Sequence, residues 1–520
     1  MLARAHTFTI EGLQTRRVTV EVDIRSGLPA FAIVGLADAA VREARQRVQA
    51  AILNSGYEFP ASRITANLAP GDVPKVGPAL DLALACAVLA ASGQLPPERL
   101  DSRALFGELA LSGEVRPCQG TLAVAQATRL AGFSALLLAA ERAREAKLVE
   151  GIEVAVVRQL TSAVRVLGGG APDELPRLSA RHASAGRADR GVRSVARAGP
   201  GGLDLSDVRG QHHAVRALVI SAAGGHNILL SGPPGTGKTM LAQRLESILP
   251  PLDTREAIEV TRIHSIAGRL AGELASRRPF RAPHHSITAA GLVGGAQRRW
   301  VGEVVLAHNG VLFLDELSEF TRPALEALRQ PLEDGRVAIV RAQRSALYPA
   351  RFMLVAATNP CPCGYAGDLD RCHCSEADLA RHRRRLSGPL LDRIDLVAHL
   401  QRDGAHDLSS APLTSSAAAR ERVGKARERQ ARRLRECGVS VNAHMDARML
   451  QRLVRLDEKG QDLLRDARER GLLSARGQHR VLRIARTIAD LSESRRVRPQ
   501  DVGAAIALRP EATLAGSRVA

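Results

Sequence analysis

The stretch NILLSGPPGTGKT sets an apolar run, 227–230, directly before Gly232-x-x-x-x-Gly237-Lys238-Thr239, and MLAQRLESIL, patterned as a helix, follows at once. A strand, a glycine-rich loop and a helix in that order form an anion cradle, because the glycines let backbone N–H groups wrap phosphate oxygens at a helix N-terminus. Within that loop of Gly232, Pro233, Pro234, Gly235, Thr236 and Gly237, Lys238 would reach β- and γ-phosphates and Thr239 would offer its hydroxyl to Mg2+, so ATP with Mg2+ is the expected ligand. About seventy-five residues later GVLFLDEL ends an apolar strand in Asp315 and Glu316. Delivered to the carboxyl end of a parallel sheet, Asp315 would hold the metal with Thr239, and Glu316 would orient and polarise an attacking water. A third apolar run, FMLVAATNP, ends in Asn359. Its amide could position that water or cap the turn before Pro360; following the other two motifs, the catalytic reading is favoured.

The stretch NPCPCGYAGDLDRCHCS puts four of the chain's seven cysteines between positions 361 and 374. Cys361-x-Cys363 and Cys372-x-Cys374 are spaced so that a short loop could fold back and bring four sulfurs to one tetrahedral Zn2+. Cys-x-x-Cys is the commoner spacing, reduced thiols in a surface loop are the alternative, and His373 or His382 could replace one sulfur. Such a metal would be structural, and would pin the loop between Asn359 and Arg393. The remaining cysteines, Cys86, Cys118 and Cys437, form no paired framework, so disulfides are not expected.

Arginine stabilises charge on a transferring γ-phosphoryl group, which draws attention to Arg393 in LSGPLLDRIDL and Arg476 in LLSARGQHRVLRIARTIADL. In a chain with 73 lysines and arginines, composition cannot select among them.

These residues need scaffolds to position them. The 520 residues suggest about three domains. Residues 1–168 read as mixed α/β, with strand candidates AFAIVGL and SALLLAA and the helical ADAAVREARQRVQAAILNSG. Residues 169–202, rich in Gly, Pro, Ser and Arg without a period, read as a basic flexible linker. Residues 203–400 form a second α/β block, and 401–520 are helical. Within the latter, AAARERVGKARERQARRLRE is a charged helix that either faces solvent or faces DNA. Aromatics are only 2%, so the cores must be built from Leu, Val, Ile and Ala.

The net charge of +19 favours an anionic partner, commonly nucleic acid. The bias is almost all arginine, with lysine only at Lys75, Lys147, Lys238, Lys425 and Lys459, and an arginine-rich composition could arise without such a partner. No run of eighteen apolar residues appears, and the first residues lack the regions of a secretory signal. A cytoplasmic protein without a membrane partner is expected.

The order of motifs resembles the AAA+ ATPases, and within them the magnesium-chelatase-like branch of the YifB/ComM family. The resemblance rests on GPPGTGKT, RPFRAPHHSITAAGLVGG, GEVVLAHNGVLFLDELSEF, ATNPCPCG, GPLLDRIDL and SARGQHRVLRIARTIADL, and covers essentially the whole chain. It implies an AAA+ core with a parallel sheet, a C-terminal helical lid and an N-terminal Lon-protease-like α/β domain. It further implies that Asn359 is the first sensor, Arg393 an arginine finger acting in trans, and Arg476 the second sensor ahead of Arg480 and Arg483. A homo-hexamer follows, with two insertions aimed at its pore: the PHHSITAAGLVGGAQRRW region, and a hairpin over 335–352 carrying Arg341 and Arg344 near its turn toward DNA. The family's usual Pro before Gly302–Glu303 is Val301 here. In the N-terminal domain a Lon-type Ser-Lys dyad would fall on Ala79 and Leu122, which offer neither nucleophile nor base, so a scaffold or partner-binding module is expected and not a peptidase. The implied function is an ATP-driven DNA motor, a helicase or branch-migration engine for recombination intermediates as in natural transformation. The competing reading is a protein remodeller or chelatase-type chaperone without a DNA substrate.

Overall fold

The computed structural model describes residues 1–36, 38–175, 203–269, 273–295, 301–341, 344–366, 370–385, 388–401 and 414–509. Most of the expected linker, from 176 to 202, lies outside the described residues. The chain forms two compact units: Met1–Ala188 with Thr254–Ala275 and Ala338–Tyr348, and Asp189–Asp253 with Ser276–Val337 and Pro349–Ala520.

The first unit is built on a seven-stranded mixed sheet in the order Ala30–Val34, Arg63–Ala69, Gln14–Arg25, Leu2–Glu11, Arg103–Phe106, Ala135–Ala139, Glu153–Val157. Alternation in Gln14–Arg25 turns Val18, Val20 and Val22 into the core, as a period of two requires. The helix Asp81–Ala91 is apolar all round after its first residue and is buried along its whole length. Its one charge, Asp81, is met by Arg47 Nε at 2.8 Å and Nη2 at 3.1 Å. Burial pushes the Asp81 carboxyl up to about 6 even though Arg47 pulls it down. Ala79 and Leu122 lie in one apolar cluster with Phe8, Phe106 and Leu138. The place where a Ser-Lys dyad would sit is therefore packed hydrocarbon.

The helix Thr254–Ile266, read in the sequence as part of the 203–400 block, belongs to this first unit. The carbonyl of Ser265 accepts from Gly120 N–H at 3.2 Å, and its hydroxyl donates to the buried Glu145.

The second unit holds a five-stranded sheet, all parallel, in the order Phe280–Arg281, Val311–Leu314, Met353–Thr358, Ile228–Ser231, Leu396–His399. Counted along the chain, the spatial order is 2-3-4-1-5, so the first strand lies between the fourth and fifth. Every residue of Val311–Leu314, Met353–Thr358 and Ile228–Ser231 is buried, which is why these runs are apolar without alternation.

The blocks 203–400 and 401–520 share one core here. Ile228, Leu230, Val355 and Ala398 of the sheet pack in the same cluster as Ala419, Val423, Ala426, Ile484 and Ile488 of the C-terminal helices. The charged stretch folds as helix Ser416–Leu434 and buries the seam Ala419, Val423, Ala426, Gln430 and Leu434. Several of its arginines serve neighbouring helix ends. Arg420 Nε donates to Ser247 O at 2.8 Å and Arg427 Nε to Ala222 O at 3.0 Å, each near the C-terminus of a helix where carbonyls lack partners. Arg433 pairs with the buried Asp490 at 2.6 Å.

The expected hairpin is present as strands Arg336–Arg341 and Arg344–Pro349, closed at its base by Ala350 N–H donating to Gly335 O at 2.8 Å. Its turn, 342–343, and the side chains of Arg341 and Arg344 lie outside the described residues, as do 296–300 of the other expected insertion.

Candidate functional site

Parallel register fixes which residues meet. Ser231 pairs with Thr358 and Leu314 with Ala356, so the chain leaves three neighbouring strands at one edge through Gly232, Asn359 and Asp315. Gly232 lies so close to the next strand's exit that a Cβ on it would stand 2.5 Å from the Leu400 carbonyl oxygen. Gly235 and Gly237 adopt φ of +79° and +82°, conformations costly for other residues, and Gly237 caps the helix Lys238–Ile248.

Lys238 Nζ donates to Gly232 O at 2.7 Å, Pro233 O at 2.8 Å and Asn359 Oδ1 at 3.1 Å. Burial lowers the Lys238 pKa, while Asp315 and Glu316 favour its charged form. Thr239 Oγ1 donates to Asp315 Oδ2 at 2.6 Å, placing a hydroxyl and a carboxylate together as a hard divalent cation requires. The donor set therefore fits Mg2+ beside a phosphate-binding loop. Asp315 Oδ1 accepts from Glu316 N–H at 3.0 Å. Glu316 itself has φ of +51°, a left-handed conformation rare for a residue with a side chain, and its carboxylate is solvent-exposed. His285 Nδ1 stands 3.5 Å from Glu316 Oε2. His285 lies in the RPFRAPHHS stretch, where no spacing rule ties it to Glu316 about thirty residues later.

Asn359 points its amide oxygen at Lys238, and its carbonyl meets His382 Nε2 at 2.9 Å. The side chain is thus committed to the loop lysine and does not cap a turn. His382 is buried against that carbonyl and is not a sulfur substitute; His373 is exposed.

Arg393 sits at the other edge of the sheet. Its carbonyl accepts from Asn227 Nδ2 at 2.9 Å, where Asn227 immediately precedes the loop's strand, and Arg393 itself precedes the strand Leu396–His399. Its guanidinium is paired with Glu333. Arg476 is exposed on the first turn of helix Ala475–Leu491. Arg480 lies 3.9 Å from the buried Asp395, and Arg483 Nε donates to Met445 O at 2.8 Å. Arg480 thus faces the start of the strand Leu396–His399 and Arg483 the backbone at Met445, and of the three Arg476 is the exposed one.

The four sulfurs of Cys361, Cys363, Cys372 and Cys374 lie within 4.8 Å of one another. Sγ of Cys361 is 3.2 Å from that of Cys363 and 4.0 Å from that of Cys372, and Cys363 and Cys372 are 3.7 Å apart.

Two further features were not legible in the sequence. A cavity of about 380 Å³ beside Leu396–His399 is lined by Gly210, Gln211, His212, Val397, His399 and Leu508 among others, a volume suited to a nucleobase. The stretch RPFRAPHH contains a clamp: Arg281 Nε and Nη2 meet Glu303 Oε2 and Oε1 at 2.6 and 2.9 Å, both side chains buried. Next to Glu303, Gly302 lies against the backbone of Val293 and Gly294, where a Cβ would fall 2.2 Å from Val293 C; Val301, in the place of the family's Pro, is buried and bridges to Gly294.

Residues 204–408 match the family described as magnesium chelatase, subunit ChlI; residues 20–142 match subunit ChlI of Mg-chelatase, and 413–509 the ChlI C-terminal family. Uncharacterized protein Rv2897c of Mycobacterium tuberculosis (strain H37Rv) is 44% identical over 98% of both chains. YifB of Escherichia coli K12 is 41% identical over 98% of this chain and 97% of its own. Competence protein ComM of Haemophilus influenzae (strain Rd) is 41% identical over 95% of each. With its P-loop, 2-3-4-1-5 parallel sheet and helical C-terminal region, the chain belongs to the YifB/ComM family of magnesium-chelatase-like AAA+ proteins, a family that implies ATP and Mg2+ as cofactors.

Proposed function

We propose that this protein is an ATP-hydrolysing motor that works as a homo-hexameric ring on DNA and drives helicase or branch-migration steps on recombination intermediates. The observation that carries the ring is the placement of Arg393. The P-loop leaves the carboxyl edge of the sheet, and Arg393 enters at the amino edge, separated by a four-residue strand, about 13 Å at 3.3 Å per residue. That span favours an Arg393 that serves a neighbouring copy's nucleotide over its own. Heterologous contacts of this kind close into rings when the rotation from copy to copy completes a full turn.

Bound Mg2+–ATP supplies the transferable γ-phosphoryl group and neutralises part of its charge. Around it, Lys238 exchanges the Gly232 and Pro233 carbonyls for phosphate oxygens, while Thr239 and Asp315 hold the cation. Glu316, with its exposed carboxylate, orients the water and accepts its proton, and Asn359 aligns that water from the adjacent strand end. Arg393 of the next subunit stabilises charge on the transferring group, and Arg476 reports nucleotide state from the helical region.

The DNA part is supported by the net charge of +19, by the hairpin Arg336–Pro349 with Arg341 and Arg344 flanking its turn, and by the competence protein among the relatives. Phosphate contacts are electrostatic and independent of sequence. No described helix is long and apolar enough to cross a membrane, and we place the motor in the cytoplasm. ATP hydrolysis should rise when forked or branched DNA is added, and DNA affinity should fall steeply with salt. Hydrolysis indifferent to every DNA structure would refute the motor and leave a protein remodeller.

A further inference from the structure

We propose that Cys361, Cys363, Cys372 and Cys374 bind one Zn2+, and that this centre is a positioning element for the nucleotide site, holding Pro234 and Asn359 in place. A tetrahedral site with Zn–S bonds near 2.3 Å requires S···S separations of about 3.8 Å. The separations of 3.2, 3.7 and 4.0 Å bracket that value, and all four sulfurs are within 4.8 Å of one another. Cys361 is fully buried, and the backbone N–H of Ala366 lies 3.2 Å from its Sγ, a hydrogen bond suited to a thiolate ligand. With four protein ligands the coordination is complete, so the metal has no open position for chemistry. Binding replaces the thiol protons, which pass to solvent, and changes no oxidation state.

The coupling to the nucleotide site runs through three contacts. Cys361 follows Asn359 by two residues, and Asn359 Oδ1 accepts from Lys238. Gly364, with φ of +86°, lies on the P-loop itself: a Cβ there would stand 2.5 Å from Pro234 Cδ. Beyond the second cysteine pair, helix Glu376–Arg385 returns His382 to the Asn359 carbonyl at 2.9 Å. The stretch from Asn359 to His382 thus begins and ends on one residue, and the metal closes the loop between. The backbone N–H groups of His373 and Cys363 also reach sulfurs of the opposite pair, Cys363 and Cys374, and a bound metal would lock that closure and with it the seat of Gly364 on Pro234. The positioning half of this inference rests on the reading of Asn359 as the residue that aligns water; the metal half does not.

The test uses the full-length protein purified without added metal. Elemental analysis should give about one zinc per chain, and cobalt exchange should produce the absorption of a tetrahedral four-thiolate centre. Cys372→Ser and Cys374→Ser should each lower the zinc content. Because either variant could misfold, the wild-type protein is also treated with a zinc-selective chelator at constant Mg2+. Its kcat for ATP should fall by about a hundredfold, the scale of an ångström-level misplacement, with a smaller change in nucleotide affinity, and zinc but not extra Mg2+ should restore it. A metal-free native protein with four freely reacting thiols, or one with a Cys361–Cys363 disulfide, overturns the metal centre. Zinc whose removal leaves kcat unchanged overturns the positioning role. If the protein hydrolyses no ATP at all, the proposed function fails while zinc content and the cobalt spectrum still decide the metal.

Discussion

Arg393→Ala offers the sharpest test of the ring. The side chain pairs with Glu333, whose own side chain is 57% exposed, so removing the guanidinium leaves Glu333 in water and strands no buried charge. Arg393 itself is only 17% exposed, so lost packing adds to the loss of the pair; the stability cost should be about 1–2 kcal/mol, and the variant should still fold and bind nucleotide. Hydrolysis is a different matter. An arginine on the transferring phosphoryl group contributes about 10³-fold or more, roughly 4 kcal/mol of barrier. Steady-state phosphate release should fall by that factor while the dissociation constant for a nucleotide analogue stays within about threefold, less than 1 kcal/mol. Mixing Arg393→Ala with Lys238→Ala subunits then tests the geometry. Each variant alone is inactive, but in a randomly mixed ring about a quarter of the interfaces pair an intact P-loop with an intact finger, since heterologous contacts present different surfaces. Glu333→Gln, which removes the competing partner, should hydrolyse at least as fast as the parent. Arg393→Ala with near-normal hydrolysis, or mixed rings that exchange subunits and recover nothing, would refute the trans assignment.

Three other outcomes follow from the packing. Gly364→Ala forces a left-handed alanine, costing about 1–2 kcal/mol, and an overlap with Pro234 worth about 1–3 kcal/mol; weaker nucleotide binding in a titration is expected, and unchanged binding would show that the contact does not matter. Glu303→Ala leaves the Arg281 guanidinium buried and unpaired, so unfolding should become about 3–5 kcal/mol easier, and replacing both residues with methionine should recover most of the loss of melting temperature. Burial works to raise the pKa of Asp395, but the neighbouring His226, whose Nδ1 lies 3.6 Å from Oδ2, together with Arg483 and Arg480, outweighs it and holds the carboxyl below its usual range. The stabilisation is present above the ordinary carboxylate value near 3.9 and is lost as pH falls through the lower folded value. Asp395→Asn should thus flatten the fall of melting temperature below about pH 4; an equally steep fall would contradict this.

Local chemistry made much of the nucleotide site legible. Gly235 and Gly237 are glycines because the loop turns through positive φ, and the buried runs Ile228–Ser231 and Val311–Leu314 are apolar because a parallel sheet is covered on both faces. These are constraints a chain must satisfy within a few residues, so they leave a pattern in the text. The Arg281–Glu303 clamp, the His285–Glu316 approach and the cavity beside His399 join residues far apart in sequence, and no spacing rule announces them. The charged helix Ser416–Leu434 could not be interpreted from its composition either: an arginine that caps a distant carbonyl, such as Arg427 on Ala222, looks the same in sequence as one that faces DNA.

The sequence by itself determined the P-loop with its lysine and threonine, the acidic pair at the end of a strand, the absence of a nucleophile and base at Ala79 and Leu122, and the clustering of four cysteines. Each of these is a matter of residue identity or of spacing within one element. Only the tertiary structure decided that Asn359 reaches Lys238, that Arg393 lies at the opposite edge of the sheet, and that Gly364 seats the cysteine loop on Pro234. Those relations depend on strand order and register, which arise from the burial of many side chains at once and are not written in any short stretch of the chain.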